Sequence, residues 1–422
     1  MQAYHYQHAT QTNEEQPRYD NTLSALFAHR QQRNQLKQQL ATQPKKLLDS
    51  NELRALSARV CKQILKTPEH SKEDLAPQLA TLFEAYSHVY QQAGIAKAER
   101  SLQFINEHGL VMAPDYCIHT IKDTLRVSGF IRAIDSAIAA LLNSDQSKVF
   151  IAYPACGPFA PLLLPLLSYY REQGLSEETL QVTLIDIQPG AIKSLRALVT
   201  ELGLQPYIQQ MYCGDACAYN SPMLFDLVII EAMQHGFSRE GHLAIATHFA
   251  KQLSINGYLI PQNIDVHAML SVAQQEYVEQ WQNESTEADT INQKHADIAN
   301  SRTELGVVFS INAHTLRNLE QQLCDDSTMV KAAALTVPYF TQHAQKQTLS
   351  LYTEISLFAD QSLRLYDSGI THPLPDLSVC INFTPQSPQQ GDTLVNSGDK
   401  LRFYYSLNGL PGFLVIKDYS GE

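Results

Sequence analysis

The sequence predicts an α/β protein in three parts: a helical N-terminal domain, a doubly wound parallel sheet with Rossmann-like connectivity, and a β-rich, barrel-like C-terminal domain. Three observations carry this prediction. Apolar residues recur every three or four positions from about Thr22 to Asn106, as in NELRALSARVCKQILK and APQLATLFEAYSHVYQQAG, which is the rhythm of amphipathic helices. Between 149 and 261 the short apolar runs VFIAY, VTLIDI, FDLVII and GYLIP alternate with the helix-like stretches GAIKSLRALVTELG and GHLAIATHFAKQLS, the spacing of βαβ units. After Pro261 a polar helical stretch, QQEYVEQWQNESTEADTINQKHADI, gives way to strand-like segments: LGVVFSINA, QTLSLYTEISLFA, LRLYDSG, LSVCINF, KLRFYYSL and GFLVIKD.

Residues 1–21, rich in Gln, His, Asn and Glu, are expected to lack fixed structure. The helical domain then covers 22–110, the Rossmann-like domain 111–262, and the β-rich domain 263–422 with a helical insert over about 272–300. Trp281 falls in that insert and reads as an anchor that packs its helix. A formal charge of -12 argues against a nucleic-acid partner, which needs a basic footprint. Seven cysteines, Cys61, Cys117, Cys156, Cys213, Cys217, Cys324 and Cys380, show no CxxC pair or zinc spacing, so they read as reduced thiols of a cytoplasmic protein and no metal site is expected. The opening MQAYHYQHATQTNEEQ lacks a basic region followed by an apolar stretch, the pattern of a signal peptide. The most apolar segment, 149–167, is interrupted by Pro154, Pro158, Pro161 and Pro165, which argues against a membrane span.

Chemistry concentrates in DLVIIEAMQHGFSRE, residues 226–240, where Glu231 and Glu240 stand nine residues apart just after a strand with the pattern of an interior parallel strand. Ligand loops of open α/β sheets leave from the carboxyl ends of such strands. A planar guanidinium is best held by two carboxylates, which also orient it for attack. The plainer alternative makes Glu231 a helix cap and Glu240 a solvated residue. His235 reads either as a base in the same loop or as a surface hydrogen-bonding residue. On the other half of the sheet, Asp186 ends the second strand, where a carboxylate accepts ribose hydroxyls, and Asp215 follows Gly214, where it could accept from an adenine amino group. A helix cap and an ordinary turn residue are the alternatives for these two. The first turn, Tyr153-Pro154-Ala155-Cys156-Gly157-Pro158-Phe159, has a single glycine, too few for the pyrophosphate of NAD or FAD, whereas S-adenosyl-L-methionine carries no phosphate and tolerates such a loop.

Taken in order, IKDTLRVSGFIRAI, VFIAYPACGPFAPLL, Asp186, the Asp215 region, the Glu231/Glu240 pair and GYLIPQNIDVHAML resemble the protein arginine methyltransferases, a branch of the class I S-adenosylmethionine-dependent methyltransferases. The resemblance covers about 120–422 and is strongest over 120–275. It implies a Rossmann-like methyltransferase domain running straight into a β-barrel, with the insert as a dimerisation arm and a homodimer as the assembly. It implies that S-adenosyl-L-methionine is held by Arg126, which takes the methionine carboxylate, and by Tyr153, Ala155, Gly157, Asp186, Ile187, Asp215, Ala216 and Glu231. It further implies that Glu231 and Glu240 clamp a guanidine or amine of a peptide or small metabolite, with His372 of Thr371-His372-Pro373 as a proton acceptor. The sequence departs from the family at Tyr153, where an acid is common, at Ala232, Gln234 and His235 inside the glutamate loop, and at Pro373, where a tryptophan is expected. Two alternatives stay open: a methyltransferase acting on another nucleophile of a small molecule or natural-product peptide, and a methyltransferase-like scaffold without activity.

Overall fold

The structure, a computed structural model, describes residues 48–67, 72–144, 147–278, 288–324, 327–339 and 346–419. The chain divides into two units, Met1–Asp49 and Ser50–Glu422, and every element named below belongs to the second. The tail expected over 1–21, the helical stretch up to residue 47, and residues 279–287 with Trp281 lie outside the described residues.

Five parallel strands form the central sheet: β1 (Val149–Pro154), β2 (Leu180–Asp186), β3 (Ile208–Cys213), β4 (Phe225–Ile229) and β5 (Leu253–Ile260), in the spatial order β3-β2-β1-β4-β5. β1, β2 and β4 are buried almost throughout, which is why they read as continuous apolar runs. β3, at the edge, reads IQQMYC with Gln209 and Gln210 exposed, and no apolar run announces it. Asp226 in β4 ties three strands together: Phe150 donates its N–H to Oδ2 at 3.0 Å and the Ser254 hydroxyl donates to Oδ1 at 3.1 Å. The strand order reverses between β1 and β4, and the crevice that binds ligands in such sheets opens there.

The longer helices that accompany this sheet are α1 (Ser50–Lys66), α2 (Lys72–Gln92), α3 (Thr124–Leu142), α4 (Leu164–Glu172), α5 (Pro189–Leu202) and α6 (His242–Ala250). From Ser50 onward the helical stretch shares one apolar core with the parallel sheet: α1 packs on α4 and α5, and α2 on α3 and α5. The Ser57 hydroxyl bonds to the Tyr86 hydroxyl at 2.7 Å and donates to that of Ser168 at 2.9 Å. Tyr86 and Tyr90 of α2 meet Phe159 edge-on, with ring centroids 5.6 and 6.0 Å apart. Each such pair adds about 0.5–1.5 kcal/mol beyond the area it buries, so α2 braces the turn that follows β1.

Beyond the sheet lie β6 (Asn263–Ser271), β7 (Thr303–Asn312), β8 (Ser327–Thr336), β9 (Thr348–Phe358), β10 (Lys400–Ser406) and β11 (Gly412–Lys417). β6 pairs antiparallel with β7 and β9, and the short strands Gln361–Leu363 and Leu374–Asp376 both pair with β9. Gln322–Cys324, β8, β10 and β11 make a second antiparallel sheet. Among the described residues these sheets do not close into one ring of strands. β8 carries the alanine-rich run KAAAL, which its own pattern does not mark as a strand; pairing with β10 overrides that local preference.

The strand expected over LRLYDSG ends at Leu363 and gives way to a turn. Asp367 donates its N–H to the Arg364 carbonyl at 3.0 Å while its Oδ2 accepts from the Arg364 N–H at 2.7 Å, Tyr366 is left-handed at φ 70, and a short helical turn follows at Gly369–Thr371. The insert shows helices at Ala273–Tyr277 and Ala288–Ser301. At its base, Arg302 donates twice to the buried Glu276, at 2.8 and 2.9 Å, and the Tyr366 hydroxyl donates to the same carboxylate. That triangle fixes the 366–372 loop to the two ends of the insert.

Candidate active site

The carboxyl ends of β1, β2, β3 and β4 supply the site. The turn after β1 is left-handed at Ala155 (φ 51), Gly157 (φ 67) and Ala160 (φ 39). Only glycine takes that conformation without strain, and each alanine there costs about 1–2 kcal/mol. Gly157 donates its N–H to Oδ2 of Asp186 at 2.8 Å, and Gln188 donates its N–H to Oδ1 at 2.8 Å, so the acid at the end of β2 holds both its own helix start and the neighbouring turn. Asp186 thus braces the approach to α5 without capping it, since the N-cap residue is Gln188 and no side chain caps that end. Burial nevertheless pushes its carboxyl up to about 6 despite the two N–H donors, and each oxygen keeps a free lone pair. Asp215, after β3, also caps a short turn, accepting the Cys217 N–H at 2.8 Å, and the His108 Nε2 lies 3.8 Å from its other oxygen. The donor atoms of His108, Asp215 and Cys217 lie within 4.8 Å of one another.

Two cavities meet along this edge. The narrower, of about 110 Å³, is lined by Gly157, Asp186, Ile187, Gln188, Asp215 and Ala216. The wider, of about 610 Å³, is lined by Arg126, Tyr153, Glu231, His235, Glu240 and His372. Met112, Cys117, Ala155, Gly157, Pro158 and Glu240 belong to both walls, so the cavities are neighbours and every residue that the sequence nominated lines one or the other.

Within the wide chamber Arg126 of α3 donates to Glu231 at 3.0 Å and pairs with Asp123 at 3.1 Å, while its Nε–H is buried without an acceptor. The Glu231 side chain is only 8 % exposed, and burial raises its carboxyl above the ordinary range with the Arg126 guanidinium pulling it back. Glu240 is pushed up to about 7, first by burial and then by the Glu231 charge, against a hydrogen bond from the Gln234 side chain. The helix-cap and solvated alternatives for this pair do not describe what is seen.

The loop between the two glutamates is fixed by packing. Gln234 and Ser238 exchange backbone bonds, Arg239 donates its N–H to Pro411 at 2.7 Å and accepts from Leu110 at 2.7 Å, and Phe237 is buried against Tyr405 and His242. His372 reaches the chamber from the opposite side on the 366–372 loop, its ring edge-on to Tyr366 at 5.0 Å. Burial lowers both His235 and His372, which favours their uncharged forms.

Reading the sequence alone missed the residues that join the two domains here. Asp123 accepts from the Ser368 hydroxyl at 2.6 Å and the Gly369 N–H at 3.3 Å while also holding Arg126. Its one visible signal is its place three residues before Arg126 at the start of a helix. Cys117 lines both chambers next to Asp186, Glu240 and Glu231, and nothing in its local sequence marks it.

No family model matches the chain, and no curated protein matches it. Among solved structures it is similar to the Trypanosoma brucei PRMT1 enzyme-prozyme heterotetrameric complex with AdoHcy, at 14% identity and a TM-score of 0.41, over 72% of this chain and 98% of that one. It is also similar to Arabidopsis thaliana protein arginine methyltransferase 10, at 13% identity and a TM-score of 0.37, over 65% of this chain and 84% of that one. Likeness at this level does not bear on the chemistry of the cleft, which rests on its own geometry.

Proposed function

We propose that this chain is an S-adenosyl-L-methionine-dependent methyltransferase that acts on a guanidine or amine nitrogen. One observation carries the reading: Glu231 and Glu240 line the same wide chamber, and Glu240, half-buried, stands in the wall shared with the narrow one, where burial and the Glu231 charge raise its carboxyl to about 7. The donor set fits the cofactor. The orphaned Arg126 Nε–H suits a carboxylate, the free lone pairs of Asp186 suit a ribose diol, and Asp215 suits an exocyclic amine. When bound, the cofactor supplies a methyl group on a positively charged sulfur, ready for in-line displacement. Glu231 and Glu240 hold the acceptor cation between them and fix its orientation, which is where most of the acceleration of such a transfer arises. The acceptor nitrogen gives up its proton to Glu240, or to His372, whose uncharged form burial favours.

The narrow chamber, at about 110 Å³, favours one competing reading, a methyltransferase-like scaffold without activity, because sites that enclose a drug-sized ligand usually measure about 300–1,000 Å³. Calorimetric titration with S-adenosyl-L-methionine and its demethylated product separates the two. Micromolar binding, lost in Asp186→Ala with the far-ultraviolet dichroism unchanged, is the expected result. Absence of heat in folded protein would sink the enzyme reading. A homodimer through the insert flanked by Ala273–Tyr277 and Ala288–Ser301 belongs to the same proposal, and light scattering on the purified chain tests it.

A further inference from the structure

We propose that the acceptor is a small molecule carrying an anionic group, a carboxylate or a phosphate, at the end remote from the nitrogen held by Glu231 and Glu240; this deepens the methyltransferase reading and rests on it for the reaction. The charged side chains that line the wide chamber are sorted by depth. Those that are exposed are Lys72 and Lys122, whereas Arg126 and the acids Asp123, Glu231, Glu240 and Asp367 are all at least partly withdrawn from solvent, four acids against one deep cation. Three of those acids are engaged locally: Asp123 by Arg126, Ser368 and Gly369, Glu231 by Arg126, and Asp367 by the Arg364 N–H, which leaves Glu240 to give the floor its available negative charge. The floor is thus anionic and the mouth cationic, on a chain whose formal charge is -12.

The mouth is also built rather than incidental. Lys122 places its Nζ 3.5 Å from the centroid of the Phe83 ring, and His119, exposed in the same wall, stacks on that ring at 5.2 Å. Phe83 is itself buried on α2, the helix that begins at Lys72. A cation resting on an aromatic face holds its place while keeping its charge available. The histidines register the same field: His119 is lowered by burial and by Lys122, and Lys72 adds to the burial that lowers His372. A ligand that puts a guanidinium between two carboxylates and an anion between two lysines satisfies both poles. A second cation at its far end meets like charge.

The test uses three guanidines of similar length on the full chain, titrated calorimetrically with and without the demethylated cofactor: 4-guanidinobutanoate, butylguanidine and agmatine. We expect 4-guanidinobutanoate to bind about tenfold tighter than butylguanidine and agmatine to bind weakest, with the spread narrowing as salt is raised. The double variant Lys72→Ala, Lys122→Ala should flatten the order without changing affinity for the cofactor product. A phosphate analogue, 2-guanidinoethyl phosphate, separates the two anions: tighter binding than the carboxylate assigns the mouth to phosphate, weaker binding to carboxylate. Equal affinity across the three guanidines, agmatine binding best, or no guanidine binding overturns the proposal. Should the cofactor product fail to bind while the order of guanidines persists, the methyltransferase reading falls and the two-poled acceptor site stands.

Discussion

At Glu240, burial and a neighbouring carboxylate act in the same direction, and the carboxyl rises from its ordinary 4.5 to about 7. A carboxyl raised on folding stabilises the native state while protonated, so its contribution is complete below pH 4.5 and is lost as pH climbs through 7. Each pH unit in that window removes roughly 1.4 kcal/mol. Glu240→Gln should therefore gain on the wild type in thermal stability as pH rises from 4.5 to 7.5, and differential scanning calorimetry across that range reads the gap. Parallel curves would show that the carboxyl is not held up. Binding a cation reverses the balance and expels the proton, so guanidine affinity should strengthen between pH 6 and 8. Glu231, Glu240 and Asp186 drew attention by their type and their place at strand ends, whereas Arg126 was reached only through the family resemblance. Asp123 was not legible, because its partners Ser368 and Gly369 lie 245 and 246 positions away and no local pattern links them.

Two loops from different domains set the shape of the wide chamber, and each is held by one demanding contact. Gly236, at φ 65, sits so close to the β-rich domain that an added Cβ would come within 2.6 Å of the Leu374 Cβ. Gly236→Ala should lower the melting temperature by several degrees and reduce methyl transfer more than cofactor binding, since Glu231 and Glu240 flank the displaced turn. In the facing loop, Tyr366→Phe removes the hydroxyl that donates to buried Glu276 while leaving the ring against His372. A loss of about 1–2 kcal/mol in urea denaturation is expected, with turnover reduced if the loop then drifts. An unchanged midpoint would show that Arg302 alone satisfies Glu276. Strands with apolar runs were legible here; β3, with two exposed glutamines, and alanine-rich β8 were not, because pairing rather than composition makes them strands.

Across the described residues, the helical segment expected to stand apart is, from Ser50 on, part of the core that also holds the parallel sheet. Phe159 carries that union, packed between Phe83, Tyr86 and Tyr90. Phe159→Ala should cost about 3–5 kcal/mol, and a chain starting after α2 should lose cooperative unfolding by circular dichroism. The alternation of strands and helices made the parallel sheet legible, whereas the sharing of a core and the open pairing of the antiparallel sheets depend on contacts between distant segments that periodicity does not encode. The six residues common to both chambers have a further consequence. A ligand in either chamber rebuilds part of the surface that the other ligand meets, and by linkage the effect is equal in both directions. On the methyltransferase reading proposed above, affinity for the acceptor would then be a property of the pair, and whichever ligand occupies one chamber would help decide when the other is released.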